Sequence, residues 1–140
     1  MKKNKNQILI SIISIILITA LFLLIGIKLY TISNELKNNG VYTIGEVTGI
    51  RSASKGSKYL KYNYKVKGTI YKGEYGKIGN AKIGDKYLVL YSEKSIYLNV
   101  IYTNKPMYNI ELGTKVGLYK DLQLPINTSE MPYWWSSPPD

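Results

Sequence analysis

The chain contains no cysteine and no histidine. The first absence removes disulfides, thiolate metal ligands, thiol nucleophiles and any lipid carried on a cysteine. The second removes the side chain that most often serves as acid, base and metal ligand near neutral pH. Neither absence assigns a compartment, because a domain without disulfides can stand on either side of a membrane. Carboxylates are scarce, with 9 Asp and Glu against 19 Lys and Arg, a net charge of +10. They are scattered from Glu35 to Asp140, mostly in turns or beside lysines, and no spacing sets two in one apolar cleft as a tuned acid–base pair requires. Gly73, Gly76, Gly79 and Gly84 lead into no Gly-Lys-Ser/Thr and open no helix, so they are no phosphate loop. Gly84-Asp85 reads as an ordinary turn. The serines and lysines of RSASKGSK lie in a polar loop, which offers no desolvated lysine to activate a hydroxyl. The expectation is a chain that is not an enzyme, with no cofactor and no metal.

What is present is one long apolar run, Ile8 to Ile27, with no charge and only Ser11, Ser14 and Thr19 as polar residues. At about 1.5 Å per residue it spans roughly 30 Å, the thickness of a bilayer's hydrocarbon core. Residues 8–30 are read as a transmembrane helix, with Tyr30 at the level of an interfacial anchor. Residues 1–7 form a basic leader. Lys2, Lys3 and Lys5 favour a cytoplasmic amino end and a body outside the cytoplasm. A cleaved signal peptide is the alternative, but the run exceeds the usual 7–15 apolar residues and no A-x-A site follows it. Leu29, Ile32 and Leu36 continue an apolar stripe, so residues 31–40 are expected to extend the helix into a linker. Asn38-Asn39-Gly40 is expected to stop it, with Gly40 as a left-handed cap. No G-x-x-x-G occurs in the run, so nothing in it argues for helix pairing.

From Val41 the period changes to two. VYTIGEVTGI, YLKYNYKV, TIYKGEYG, KYLVLYS and IYLNVIY read as five strands. In the second, Leu60, Tyr62, Tyr64 and Val66 share one face, and Tyr59, Lys61, Asn63 and Lys65 share the other. Lys67-Gly68 makes a tight hairpin connection. KYLVLYS is apolar on both faces, as an interior strand would be. Residues 41–102 are therefore expected to form a small β domain, mainly β and antiparallel. About five strands would bend into a partial barrel of SH3-like or OB-like size. The 14 tyrosines supply much of its apolar area. Residues 103–140, with five prolines, read as an extended tail, in which ELGTKVGLY offers one more short strand.

The order of these segments resembles a bacterial family known only as domain of unknown function 3592. The similarity covers roughly Gly45 to Ile101. It is carried by Gly45 and Val47, then Tyr62, Tyr64, Val66, Gly68 and Tyr71, then Gly84, Asp85, Val89 and Tyr91. The Asn-Pro that the family often carries after Val-x-Tyr is replaced here by SEKSIYLN. The resemblance implies a short membrane-associated β protein, no enzymatic activity and no known ligand.

Two features remain as candidate contacts. Between Arg51 and Lys86 lie ten basic residues against Glu74 and Asp85, a net of +8. Lys58, Lys61, Lys65, Lys67 and Lys72 of this hairpin are candidates for an anionic surface, lipid headgroups or an envelope polymer. Their plainer reading is a solvated face that keeps a sheet soluble. Nucleic acid is not expected, given the orientation and the lack of arginines for bidentate phosphate contacts. Tyr133, Trp134 and Trp135 are candidates for a partner or the membrane interface, or for a strap over the domain's own core. The sequence thus points to a single-pass bacterial inner-membrane protein with the lipid bilayer and a protein of the membrane or envelope as its partners. It would act as an interaction module, for which an accessory subunit of an envelope complex is the expected role.

Overall fold

The computed structural model describes residues 5–52, 56–76 and 78–127. Two compact units divide the chain, Met1–Ile32 and Ser33–Asp140.

A single helix, α1 (Lys5–Asn39), begins in the first unit and ends in the second. It is long and apolar enough to cross a membrane, and none of its most apolar window is buried within the protein. Its hydroxyls are satisfied locally: Ser11, Ser14 and Thr19 donate to the carbonyls of Gln7, Ile10 and Ile15 at 2.8–2.9 Å. These bonds hold in any surround, because each partner lies one turn back in the same helix.

The second unit is a six-stranded antiparallel open sheet in the order β3-β2-β1-β4-β5. Its strands are β1 (Gly40–Ser52), β2 (Lys58–Val66), β3 (Thr69–Tyr75), β4 (Lys86–Ser92) and β5 (Asn99–Pro106), and the two-residue β6 (Gly117–Leu118) pairs with β1. The long β1 is shared along its length. Gly45 to Ser52 pair with β2, Gly40 to Glu46 pair with β4, and β6 pairs with Val41 and Tyr42 beyond the end of β2. The β2–β3 hairpin closes through Lys67 at φ 49° and Gly68 at φ 88°, the two positive φ values that a twist-matched two-residue turn requires.

Burial follows the expected alternation in β2, where Leu60, Tyr62, Tyr64 and Val66 are all buried. In β4 every residue from Tyr87 to Ser92 is buried, as befits a strand between β1 and β5. The sheet is curled rather than flat. Tyr62 of β2 donates its hydroxyl to Asn99 of β5, three strand steps away. On a flat sheet that separation is about 14 Å, with both side chains perpendicular to it. Gly73 of β3 permits the curl. A Cβ there would sit 2.3 Å from the Tyr62 ring and 2.5 Å from Asn99 Oδ1.

Three boundaries differ from the sequence reading. Gly40 is no left-handed cap but the first residue of β1, paired with Ser92. It is needed for closeness: a Cβ would lie 2.0 Å from the Leu36 carbonyl oxygen and 2.8 Å from Leu90 Cδ1. The helix therefore enters the sheet without a linker, and Leu36 is fully buried. The fifth strand begins at Asn99 rather than Ile96. The turn runs further because Ser92 Oγ accepts from the amides of Lys94 and Ser95, while Leu98 N donates to Ser95 O. At its far end the strand runs past Tyr102 to Pro106.

The segment after Pro106 lies along β1. Gly113 N and Val116 N donate to Ile44 O and Tyr42 O, and Thr43 Oγ1 donates to Thr114 O. A short helical turn, α2 (Tyr119–Leu122), follows, with Asp121 accepting from Leu118 N at 2.8 Å.

Candidate functional site

The hairpin that carries the basic candidates is built by β2 and β3 in register. Lys61 stands opposite Glu74, Asn63 opposite Lys72 and Lys65 opposite Ile70. Since facing residues share a face, Lys61, Lys65, Lys72 and Ile70 all lie on the side away from Tyr62 and Tyr64. Lys67 projects from the turn at the end of this face. Lys58 does not join them: it shares the parity of Leu60 and emerges exposed at the start of β2. The structure thus gathers four of the five predicted lysines and sets the fifth apart.

Two acidic residues, Glu74 and Glu46, share this face, and among the described residues only Glu74 is paired. Glu74 takes a two-point contact from Arg51, with Nη2 to Oε2 at 2.9 Å and Nε to Oε1 at 3.2 Å, and the guanidinium carbon lies 4.8 Å from the Tyr59 ring centroid. Glu46, opposite Asn63 and Lys86, is half-buried in β1. Lys86 directs its amine away from it to the carbonyl of Ile110 at 3.0 Å. The ion pairs Arg51–Glu74 and Lys115–Glu93 involve none of Lys61, Lys65, Lys67 and Lys72, which hold no carboxylate among the described residues. Lys65 lays its stem against Gly113, where a Cβ would stand 2.6 Å from that of the lysine. Ile70 is 56% exposed, an aliphatic side chain set among cations.

On the opposite face the tyrosines form a closed polar network. Asn99 accepts from Tyr62, and its amide donates to Tyr64 Oη at 3.0 Å and to the Tyr97 carbonyl at 2.7 Å. The Tyr64 hydroxyl donates in turn to Ile96 O. Burial pushes the Tyr62 and Tyr64 hydroxyls well above the ordinary phenol range. These are structural groups held neutral, with no proton to exchange near neutral pH. Asn99 was visible in the sequence only as a polar residue inside the apolar run IYLNVIY, and alternation gave no hint of its partners.

Two further arrangements complete the surface. Ser92 donates to Glu35 Oε1 at 2.6 Å and, with Glu93 N bonding Asn39 O at 2.9 Å, fastens the last helical turn to β4. Along β5 lies a cleft of about 420 Å³ lined by Tyr75, Tyr102, Asn104, Lys105, Leu124 and Asn127, among others. At its wall the Tyr102 hydroxyl is buried close to Tyr42 but without hydrogen-bond geometry to any described group. Asp85 is a turn residue, accepting from Lys82 N at 2.9 Å and from Tyr87 Oη at 3.1 Å, beside Gly84 at φ 90°. Among the described residues no group of His, Cys, Asp or Glu could hold a metal ion. Tyr133, Trp134 and Trp135 lie outside the described residues.

Compared with family models, curated proteins and solved structures, the chain matches none.

Proposed function

We propose that this chain is a single-pass membrane protein whose β unit is a non-catalytic interaction module, an accessory subunit of a bacterial envelope complex. The observation that carries the reading is the contrast within one chain. The side chains of Ile8 to Ile27 are exposed and apolar, whereas the polar groups of the sheet core bond to one another. The first property supports a bilayer as the helix's surround. The second supports a scaffold that presents surfaces, because the buried Tyr62 and Tyr64 hydroxyls are bonded into the fold rather than poised for chemistry. Membership of the domain of unknown function 3592 family belongs to the same proposal and rests on the order of segments from Gly45 to Ile101.

The leader lysines support an amino end in the cytoplasm of a bacterial inner membrane and a β unit outside it. A reporter fused after Asp140 that works only outside the cytoplasm should be active; activity of a cytoplasm-only reporter reverses the orientation. Interaction is tested by placing a photoreactive residue at Tyr108, 71% exposed, in the full chain in its own membrane. One discrete protein adduct is expected. Adducts to lipid alone, with no protein band, overturn the interaction reading.

A further inference from the structure

We propose that the outer face of the β2–β3 hairpin docks on the headgroups of the same bilayer that holds α1, with Ile70 entering the interface between the lysines. The inference rests on the reading of α1 as a bilayer span and adds a second contact to it. Three observations meet at this face. Lys61, Lys65 and Lys72 stand on one side of two paired strands, and Lys67 extends them at the turn. None of them is spent on a carboxylate among the described residues, Glu74 is neutralised by Arg51, and the half-buried Glu46 of β1 leaves the face with an excess of positive charge. In their midst, directly across from Lys65, is an aliphatic side chain that the fold leaves 56% exposed, although Val66 on the other face is buried.

Lysines around an exposed aliphatic residue are the composition that adsorbs to an anionic interface. Long stems let the amines reach headgroups while the apolar group enters the boundary. On a solvated face Ile70 contributes strand propensity but no burial, whereas an interface supplies the burial as well. The affinity required is small. Tethering by α1 turns docking into an intramolecular step at high effective concentration. Each lysine near an anionic surface favours the docked state by about fivefold, so three together shift the docked-to-free ratio on the order of 100-fold. Both the charge and the tether are needed, and the charge component weakens as salt rises. Lipid is preferred over a soluble anionic polymer because only the bilayer offers an apolar layer for Ile70.

The absence of native cysteine makes the test direct. The full chain carrying Ile70→Cys is labelled with a polarity-sensitive fluorophore and reconstituted in phosphatidylcholine vesicles with or without phosphatidylglycerol. The expected result is blue-shifted emission, protected from an aqueous quencher, in the anionic vesicles only. It should fade with added salt and be lost when Lys61, Lys65 and Lys72 are changed to Glu. The same label at Ile83→Cys, 70% exposed and outside the hairpin, should stay in water. Identical emission at position 70 in anionic and neutral vesicles overturns the proposal. An equal shift at position 83 also overturns it, and so does a shift that a soluble anionic polymer produces with neutral vesicles. Resistance of the reconstituted chain to alkaline extraction reports on the helix alone, so failure of the anchor and failure of the docking face are separable.

Discussion

In α1 each of Ser11, Ser14 and Thr19 donates its hydroxyl to a carbonyl four residues back. In the sheet, Tyr62, Tyr64 and Asn99 satisfy one another across 35 and 37 residues of chain. The two regions satisfy their polar groups by opposite routes. The helix does it within a turn, so its solution holds whatever surrounds it. The sheet does it only when β2 and β5 have come together, so its solution depends on the whole fold. Local satisfaction suits a segment whose solvent is lipid, where no other partner is at hand. Distant satisfaction locks one arrangement of strands, since any slip of register strands several hydroxyls at once.

The largest break in this comparison should come from alkali. Burial raises the Tyr62, Tyr64 and Tyr102 hydroxyls well above their ordinary value, and burial followed by the Asp85 carboxylate pushes Tyr87 up to about 12. Below pH ~10 these groups are protonated whether or not the chain is folded. Above it the unfolded chain sheds protons that the folded sheet keeps, so stability is lost as pH rises through the folded values. In micelles, the phenolate absorbance of the buried tyrosines should appear only as the sheet's circular dichroism is lost, above pH ~10, with helical signal retained. Ionisation of all tyrosines before any loss of sheet would refute the network's role.

Next in size is Tyr64→Ala. It removes a fully buried ring stacked at 6.0 Å on Tyr91 and at 5.8 Å on Tyr71, and should cost about 3–5 kcal/mol in urea unfolding of the full chain. Lys61→Ala on the other face should cost within about 0.5 kcal/mol. Equal costs would invert the assignment of faces.

Asn99→Ala sharpens the comparison most. It leaves the Tyr62 hydroxyl buried and without its acceptor, while Tyr64 keeps Ile96 O. One stranded hydroxyl predicts a loss of about 1–3 kcal/mol, read from the same urea transitions. A double variant that adds Tyr62→Phe should recover part of it, because then no donor is left stranded. A cost unchanged by that second substitution would mean that packing, rather than hydrogen bonding, sets the worth of Asn99.

The same division explains what the sequence disclosed. The apolar run, the alternation of Leu60, Tyr62, Tyr64 and Val66, and the Lys67-Gly68 turn are local patterns, and each is met in the structure. Gly40 was misread because composition cannot separate a glycine needed for handedness from one needed for closeness. The closeness depends on Leu36 and Leu90, four and fifty residues away in opposite directions. Ile96 looked like strand because Ile-Tyr-Leu has a strand's composition, while the turn is set by the Ser92 hydroxyl. Among the candidate contacts, alternation alone placed Lys61 and Lys65 together. Only the cross-strand register set Lys72, already a candidate, on their face, added Ile70 and put Lys58 apart.

The smallest expected effect lies in the helix. Thr19→Val keeps the shape of the side chain and deletes the hydroxyl that reaches Ile15 O at 2.8 Å. The carbonyl it abandons is not orphaned, because the helix's own amide already bonds to it. The hydroxyl takes its partner from a group with a spare lone pair, so its removal leaves nothing unpaired. Valine is also the more apolar of the two. The insertion equilibrium, read as the fraction of chains spanning in a membrane-translation assay, should therefore shift by about 0.5 kcal/mol or less, and toward insertion. The contrast with Asn99 is one of partners: Thr19 bonds within its own helix, Asn99 to hydroxyls of a distant strand. A loss of more than about 1 kcal/mol on Thr19→Val would show that this hydroxyl serves a partner outside its own helix. The helix would then join the sheet as a region whose polar groups are satisfied at a distance, and α1 would be an interface as well as an anchor.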